Sequence, residues 1–212
     1  MRGRREPFME GDLVDLVWPT RDDFEVVARM LAGGPAAALA TGGEVAPEAD
    51  DLRQECRHGR SAIACVVTKD GETIGFVRWV SRKYAGSYEI GGLVEQPEQW
   101  DLGLGAEGTG LALEHLFHAC NAHRVQFLVG AFNLRTLRMV LSLGLPVEGI
   151  LRDYFFLDGE YHDGIVTSVL REEFYRFDTH GAVRDRISPA DKQEARELLV
   201  MARARQSESV GL

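Results

Sequence analysis

The chain has 212 residues, 45% of them hydrophobic, and a formal net charge of −9. That is enough apolar material for one well-buried core and too little length for two large domains, so one domain over residues 1–177 with an extension over 178–212 is expected. The acidic balance argues against nucleic acid as a partner, and the lack of a long apolar run or signal-peptide core argues against a membrane and for a cytoplasmic location.

In chain order, Asp12 to Trp18 alternates as a first strand, and Pro19-Thr20 opens a helix through Asp23, Phe24, Val27, Met30 and Leu31. The small-residue stretch Ala32 to Gly43 reads as a flexible loop, and a second helix follows from Ala46-Pro47-Glu48 to about His58. Ala62 to Thr68, Thr73 to Ser81 and Ser87 to Glu95 are three strands joined by turns at Lys69-Asp70-Gly71 and Ala85-Gly86. A further helix carries Leu111, Leu113, Leu116 and Phe117. After it come a strand from Arg124 to Ala131, a helix from Asn133 and a final hairpin around Asp158-Gly159. Ser188-Pro189 starts a tail helix that runs to about Ala204, and Gln206 to Leu212 reads as frayed. The order β-α-α-β-β-β-α-β-α-β-β predicts an α/β (α+β) fold with a mixed, mostly antiparallel sheet.

One segment carries most of the chemistry. In Trp100-Asp101-Leu102-Gly103-Leu104-Gly105-Ala106-Glu107 two glycines open a helix directly after a strand. Glycines let a backbone approach an anion, and the first amides of a helix have no partner within it, so the N–H groups of Leu102 to Glu107 form a candidate phosphate cradle. A plain tight turn is the other reading. A dinucleotide fingerprint and a P-loop are both excluded: the segment sits halfway along the chain with no acidic residue about 20 positions on, and it has no Lys. Within the preceding strand, Gly91-Gly92 suggests a bulge or the close approach of a ligand.

Four motifs in order match one family. The cradle segment resembles Trp-Gly-x-Gly-Tyr-Ala/Gly-x-Glu-Ala, with Asp101 where the pattern has glycine. Downstream lie Asn133-Leu134-Arg135-Thr136, then Leu143-Gly144-Leu145, then Glu148 to Arg152 and Asp158 to Asp163. The chain resembles, over about Leu13 to Phe174, the GNAT superfamily of N-acetyltransferases, in its ribosomal-protein and polyamine branch. The resemblance implies a sheet whose strands at Ser87 and Arg124 splay apart to admit the pantetheine arm of acetyl-coenzyme A as co-substrate. It also implies an N-acyltransferase that passes an acetyl group directly to the amine of a small molecule. A protein of the same fold that binds coenzyme A or another ligand, with a regulatory or non-acetyltransferase role, is the alternative.

Acetyl transfer needs a neutral amine, a polarised carbonyl and a proton for the departing thiolate. Backbone amides at Gly92, Leu93 and Val94 are candidates for polarisation. Glu89, fourteen positions before Gly103 as the base glutamate stands in histone-type members, is the first candidate base, and Glu95 the second. Each has a plain reading: Glu89 as an ion-pair partner of Arg78 or Arg82, Glu95 as a solvated strand end. The tyrosine acid of many members is replaced by Val140; the resemblance to the ribosomal-protein branch, which has a serine three residues after the asparagine, implies the Thr136 hydroxyl as thiolate partner, and a helix-start residue is the plain reading. Asn133 bonds pantetheine, caps its helix, or does both. The branch's later carboxylate is replaced by Phe155. Glu114, His115 and His118 lack metal-site spacing, so no metal is expected, and scattered Cys56, Cys65 and Cys120 read as reduced structural thiols. The tail helix packs on its own domain or across a homodimer.

Overall fold

A computed structural model describes residues 5–177, 185 and 187–209. The chain forms two compact units, Met1–Arg176 and Phe177–Leu212. The first contains one eight-stranded sheet in the order β1-β2-β3-β4-β5-β6-β8-β7. Its strands are β1 (Met9–Glu10), β2 (Val14–Val17), β3 (Ser61–Thr68), β4 (Thr73–Ser81), β5 (Ser87–Val94), β6 (Arg124–Gly130), β7 (Val147–Leu157) and β8 (Glu160–Leu170). All neighbours are antiparallel except β5 and β6, which run parallel. The expected mixed α/β architecture is the observed one.

Alternation along the strands builds two packed faces. Ile90 and Val94 of β5 and Val77 of β4 join Leu111, Leu116 and Phe117 in one core; these three lie on α4 (Leu104–Glu114) and the π turn His115–Ala119 that prolongs it. On the other face Phe76 and Ile63 meet Phe24, Val27 and Met30 of α1 (Arg21–Leu31) and Leu52 of α3 (Ala49–Arg57). The start of α1 is fixed as its sequence suggests: the Asp23 carboxylate accepts from both the backbone N–H and the hydroxyl of Thr20, at 2.7 and 2.6 Å.

Three local expectations are corrected. The stretch Ala32 to Gly43 is largely helical, forming α2 (Gly34–Thr41), which ends at Gly42 in a left-handed conformation with φ 66°. Its run of alanines favours helix but shows no amphipathic period, so periodicity misses it. The first strand is shorter than Asp12 to Trp18, starting at Val14 because the amides of Asp12 and Leu13 go to a side chain described below, and a two-residue strand, β1, precedes it. Finally, of the two readings of Gly91-Gly92 the bulge alone is excluded: β5 pairs with β4 without a register shift. A Cβ on Gly92 would lie 2.4 Å from the Phe76 carbonyl oxygen, so the glycine admits the neighbouring strand.

The remaining helices before the second unit are α5 (Leu134–Ser142) and α6 (Arg171–Phe177), whose last residue is the first of that unit. The second unit contains α7 (Pro189–Ser209), longer than the expected end near Ala204, with Leu198, Leu199, Val200 and Met201 all exposed. The last three residues of the expected frayed end, 210–212, lie outside the described residues. No helix among the described residues is long and apolar enough to cross a membrane.

Candidate active site

The parallel strands β5 and β6 pair at only three positions, Ser87 with Arg124, Tyr88 with Val125 and Glu89 with Gln126. Beyond that rung each keeps only its outer partner, β4 or β8, and a gap opens between them. A cleft of about 370 Å3 occupies it, walled by residues 90–94 of β5 and 127–130 of β6. Gly103, Gly105, Ala106 and Thr109 close it on the α4 side, Asn133, Thr136 and Met139 on the α5 side, and Leu39, Ala40 and Gly42 beside Phe155 on the third.

Backbone direction along β5 follows from its ladder. Glu95 donates its amide to the Ile74 carbonyl and Arg82 donates to the Ser87 carbonyl, so odd-numbered residues of β5 bond β4 and even-numbered ones face the gap. The amides of Gly92 and Val94 therefore point into the cleft. That of Leu93 points to β4, which corrects its assignment as a donor.

At the mouth, the 3-10 helix Pro97–Leu102 leads into Gly103, which holds φ 79° where a side chain would be strained. The Trp100 indole N–H donates to the Val94 carbonyl at 2.7 Å and pins this turn over the end of β5. Leu104, Gly105 and Ala106 form the first helical turn, and no side chain caps it. Glu107 is different. Its amide already donates to the Gly103 carbonyl at 2.9 Å, and its carboxylate accepts the amides of Asp12, Leu13 and Val14 at 2.8, 2.8 and 2.7 Å. It ties the chain's beginning to α4. The Leu102 side chain is exposed and Leu102 does not line the cleft, so the cradle narrows to the backbone from Gly103 to Ala106.

On the opposite wall Asn133 begins α5. Its side-chain oxygen accepts the Thr136 amide at 3.1 Å, and its Nδ2 donates to the Leu39 carbonyl at 3.0 Å. The residue thus caps α5 and ties it to α2, with both ends of the amide engaged. The Thr136 hydroxyl makes no hydrogen bond among the described residues and lines the cleft. Val140, where a tyrosine acid would stand, is buried in the core.

The two glutamates sit apart from this lining. Glu89 is half-buried on the last paired rung, where its carboxylate accepts from Gln126 Nε2 at 2.6 Å and lies 3.7 Å from Arg82. Arg78 pairs instead with Glu55. Glu95 is exposed just past the end of β5. Two arginines that the sequence reading passed over, Arg135 and Arg138, line the cleft with a single acid, Asp101. Their three-residue spacing on one face of a helix after Asn133 was a readable signal. Phe155 reaches the cleft because β7 shifts register between Leu151 and Phe155, where Asp153 takes φ 51° and donates its amide to Asp163.

The remaining candidates have structural surroundings. His115 is buried among Phe8, Trp18 and Trp79, with its Nε2 3.3 Å from the Cys120 thiol, and His118 meets the Tyr175 hydroxyl. Burial pushes the Cys65 thiol up to about 12 and raises Cys56 as well, so both stay protonated.

Comparison with known proteins agrees with this architecture. The model of the acetyltransferase (GNAT) domain family matches residues 6–146. Spermidine N(1)-acetyltransferase of Escherichia coli (strain K12) is 27% identical over 127 residues, covering 60% of this chain and 68% of that one. Two solved structures share the fold. One is spermidine N-acetyltransferase from Vibrio cholerae in complex with CoA and spermine, with TM-score 0.69 and 19% identity over 78% of this chain and 99% of that one. The other is Mycobacterium smegmatis RimJ in complex with CoA-disulfide, with TM-score 0.61 and 22% identity over 76% and 83%.

Proposed function

Because the chain belongs to the GNAT acetyltransferase family and is an N-acetyltransferase, we propose that it moves the acetyl group of acetyl-coenzyme A directly onto the amine of a small molecule, with both substrates bound at once. The observation that carries this reading is the fork. Its gap is lined mainly by apolar groups and backbone, and its mouth holds an uncapped helix start. Those features suit a long neutral arm ending in phosphates, and a Cβ at Gly105, 3.4 Å from Val94, would enter the space the phosphates need. The V. cholerae relative's complex with CoA supports the same use.

When bound, acetyl-coenzyme A supplies an activated acyl group. The chain's own part is alignment, polarisation and proton movement. The amides of Leu104 to Ala106 hold the pyrophosphate. Those of Gly92 and Val94 donate toward the arm and the thioester oxygen, where charge grows as the amine attacks. Glu89, fixed by Gln126, takes the amine's proton through water, since its carboxylate lies beyond the cleft lining; Glu95 is the second candidate. The Thr136 hydroxyl donates a hydrogen bond to the departing thiolate, which takes its proton from water. Leu39, Ala40 and Phe155 offer an apolar wall to the acceptor's body.

The test is a thiol-release assay with acetyl-coenzyme A against a panel of amines that includes spermidine, arylalkylamines and amino sugars. Acetylation of at least one amine, at a rate that depends on Glu89, is expected. A protein that binds coenzyme A and acetylates no amine would overturn the reading.

A further inference from the structure

Two charged side chains meet across the mouth of the cleft. Asp101 stands in the 3-10 turn on the β5 side, and Arg135 in the first turn of α5 on the β6 side, with Arg135 Nε 3.2 Å from Asp101 Oδ1. The guanidinium carbon lies 5.0 Å from the centre of the Trp100 ring. Since β5 and β6 have parted below this level, the pair bridges the gap, and all three residues line the cleft.

The position of Asp101 is chemically odd. It puts a negative charge two residues before Gly103, beside amides that attract anions, where the matching motif has glycine. Arg135 neutralises that charge here, yet the two side chains are 51% and 79% exposed, and an ion pair so open to water is weak and exchangeable. Arg138, also in the lining, leaves this wall positive overall.

We propose that Arg135 is a phosphate-reading residue that exchanges Asp101 for a phosphate of coenzyme A, with Asp101 setting how readily the exchange occurs; this rests on the cleft holding coenzyme A. A guanidinium takes two phosphate oxygens in parallel and keeps its face on an indole while doing so, which Trp100 provides. The phosphate is the pyrophosphate or the 3′-phosphate of the same ligand.

Calorimetry on the full chain with coenzyme A and 3′-dephospho-coenzyme A tests the exchange. Arg135→Met should weaken coenzyme A at least about tenfold through loss of a charge-assisted contact. An equal loss for both ligands assigns the arginine to the pyrophosphate, and a loss confined to coenzyme A assigns it to the 3′-phosphate. Asp101→Asn should act in the opposite direction and tighten binding about two- to fivefold, because the resting partner and its repulsion are gone. A pair that only braces the mouth predicts weaker binding in both variants, so a weakened Asp101→Asn overturns the proposal, as does unchanged affinity in Arg135→Met. Wild type that binds neither ligand overturns the reading of the cleft and this proposal together.

Discussion

Two helices begin on opposite walls of the cleft, and they begin differently. At the start of α5 the Asn133 side chain accepts the Thr136 amide, so the helix carries its own side-chain cap. At the start of α4 the N-cap is glycine and no side chain takes its place. An uncapped helix start costs stability unless something else supplies the acceptors, and its partial positive charge favours an anion. The contrast separates their roles: α4 offers backbone, and α5 offers the side chains of Arg135, Thr136 and Arg138.

The strongest way to break this contrast is at Gly105. A Cβ there meets only Val94, at an ordinary contact distance, so Gly105→Val should fold while losing at least about a hundredfold in coenzyme A affinity as two or more charge-assisted contacts are blocked. Calorimetry beside a thermal melt measures both, and unchanged affinity in a folded variant would make the α4 start a structural turn. Next in size, Glu89→Gln should lower turnover at least about tenfold near pH 7 and leave coenzyme A affinity unchanged. Turnover should recover in part at higher pH, where more of the acceptor amine is already neutral. If Glu95→Gln is impaired instead, the base moves to the end of β5. If neither matters, the acceptor arrives neutral and the chain works mainly by alignment.

Asn133→Ala sharpens the other side of the comparison. Loss of the cap and of the tie to Leu39 should cost about 1–2 kcal/mol of stability, seen as a Tm lower by several degrees, with a much smaller effect on cofactor binding than Gly105→Val. The smallest effect is expected from truncation after Phe177, which should leave coenzyme A affinity unchanged. Light scattering on the same sample reads whether the exposed Leu198 to Met201 segment of α7 joins two copies.

How much of this was legible depends on the range of the interaction. The α1 start is written in Thr20 and Asp23, the hairpins in their turn residues, and the cradle in a glycine pair behind a strand, because each depends on neighbours within a few positions. The helix α2 was hidden since alanines carry no face, and Phe155 reaches the cleft only through the irregular register of β7.

The amino-acid sequence by itself determined the order of the main elements, β1, α2 and α6 excepted, the polarity of the chain and the place where an anion can meet free amides, all of which follow from local propensity, charge and backbone chemistry. Only the tertiary structure decided which groups face the gap. It turned the Leu93 amide to β4 and spent Glu107 on residues 12–14. It also placed Glu89 beside Gln126, 37 residues away, and set Arg135 against Asp101, 34 residues away. Partners so distant along the chain are chosen by strand order and by the parting of β5 from β6, and that geometry exists only once the whole sheet has assembled.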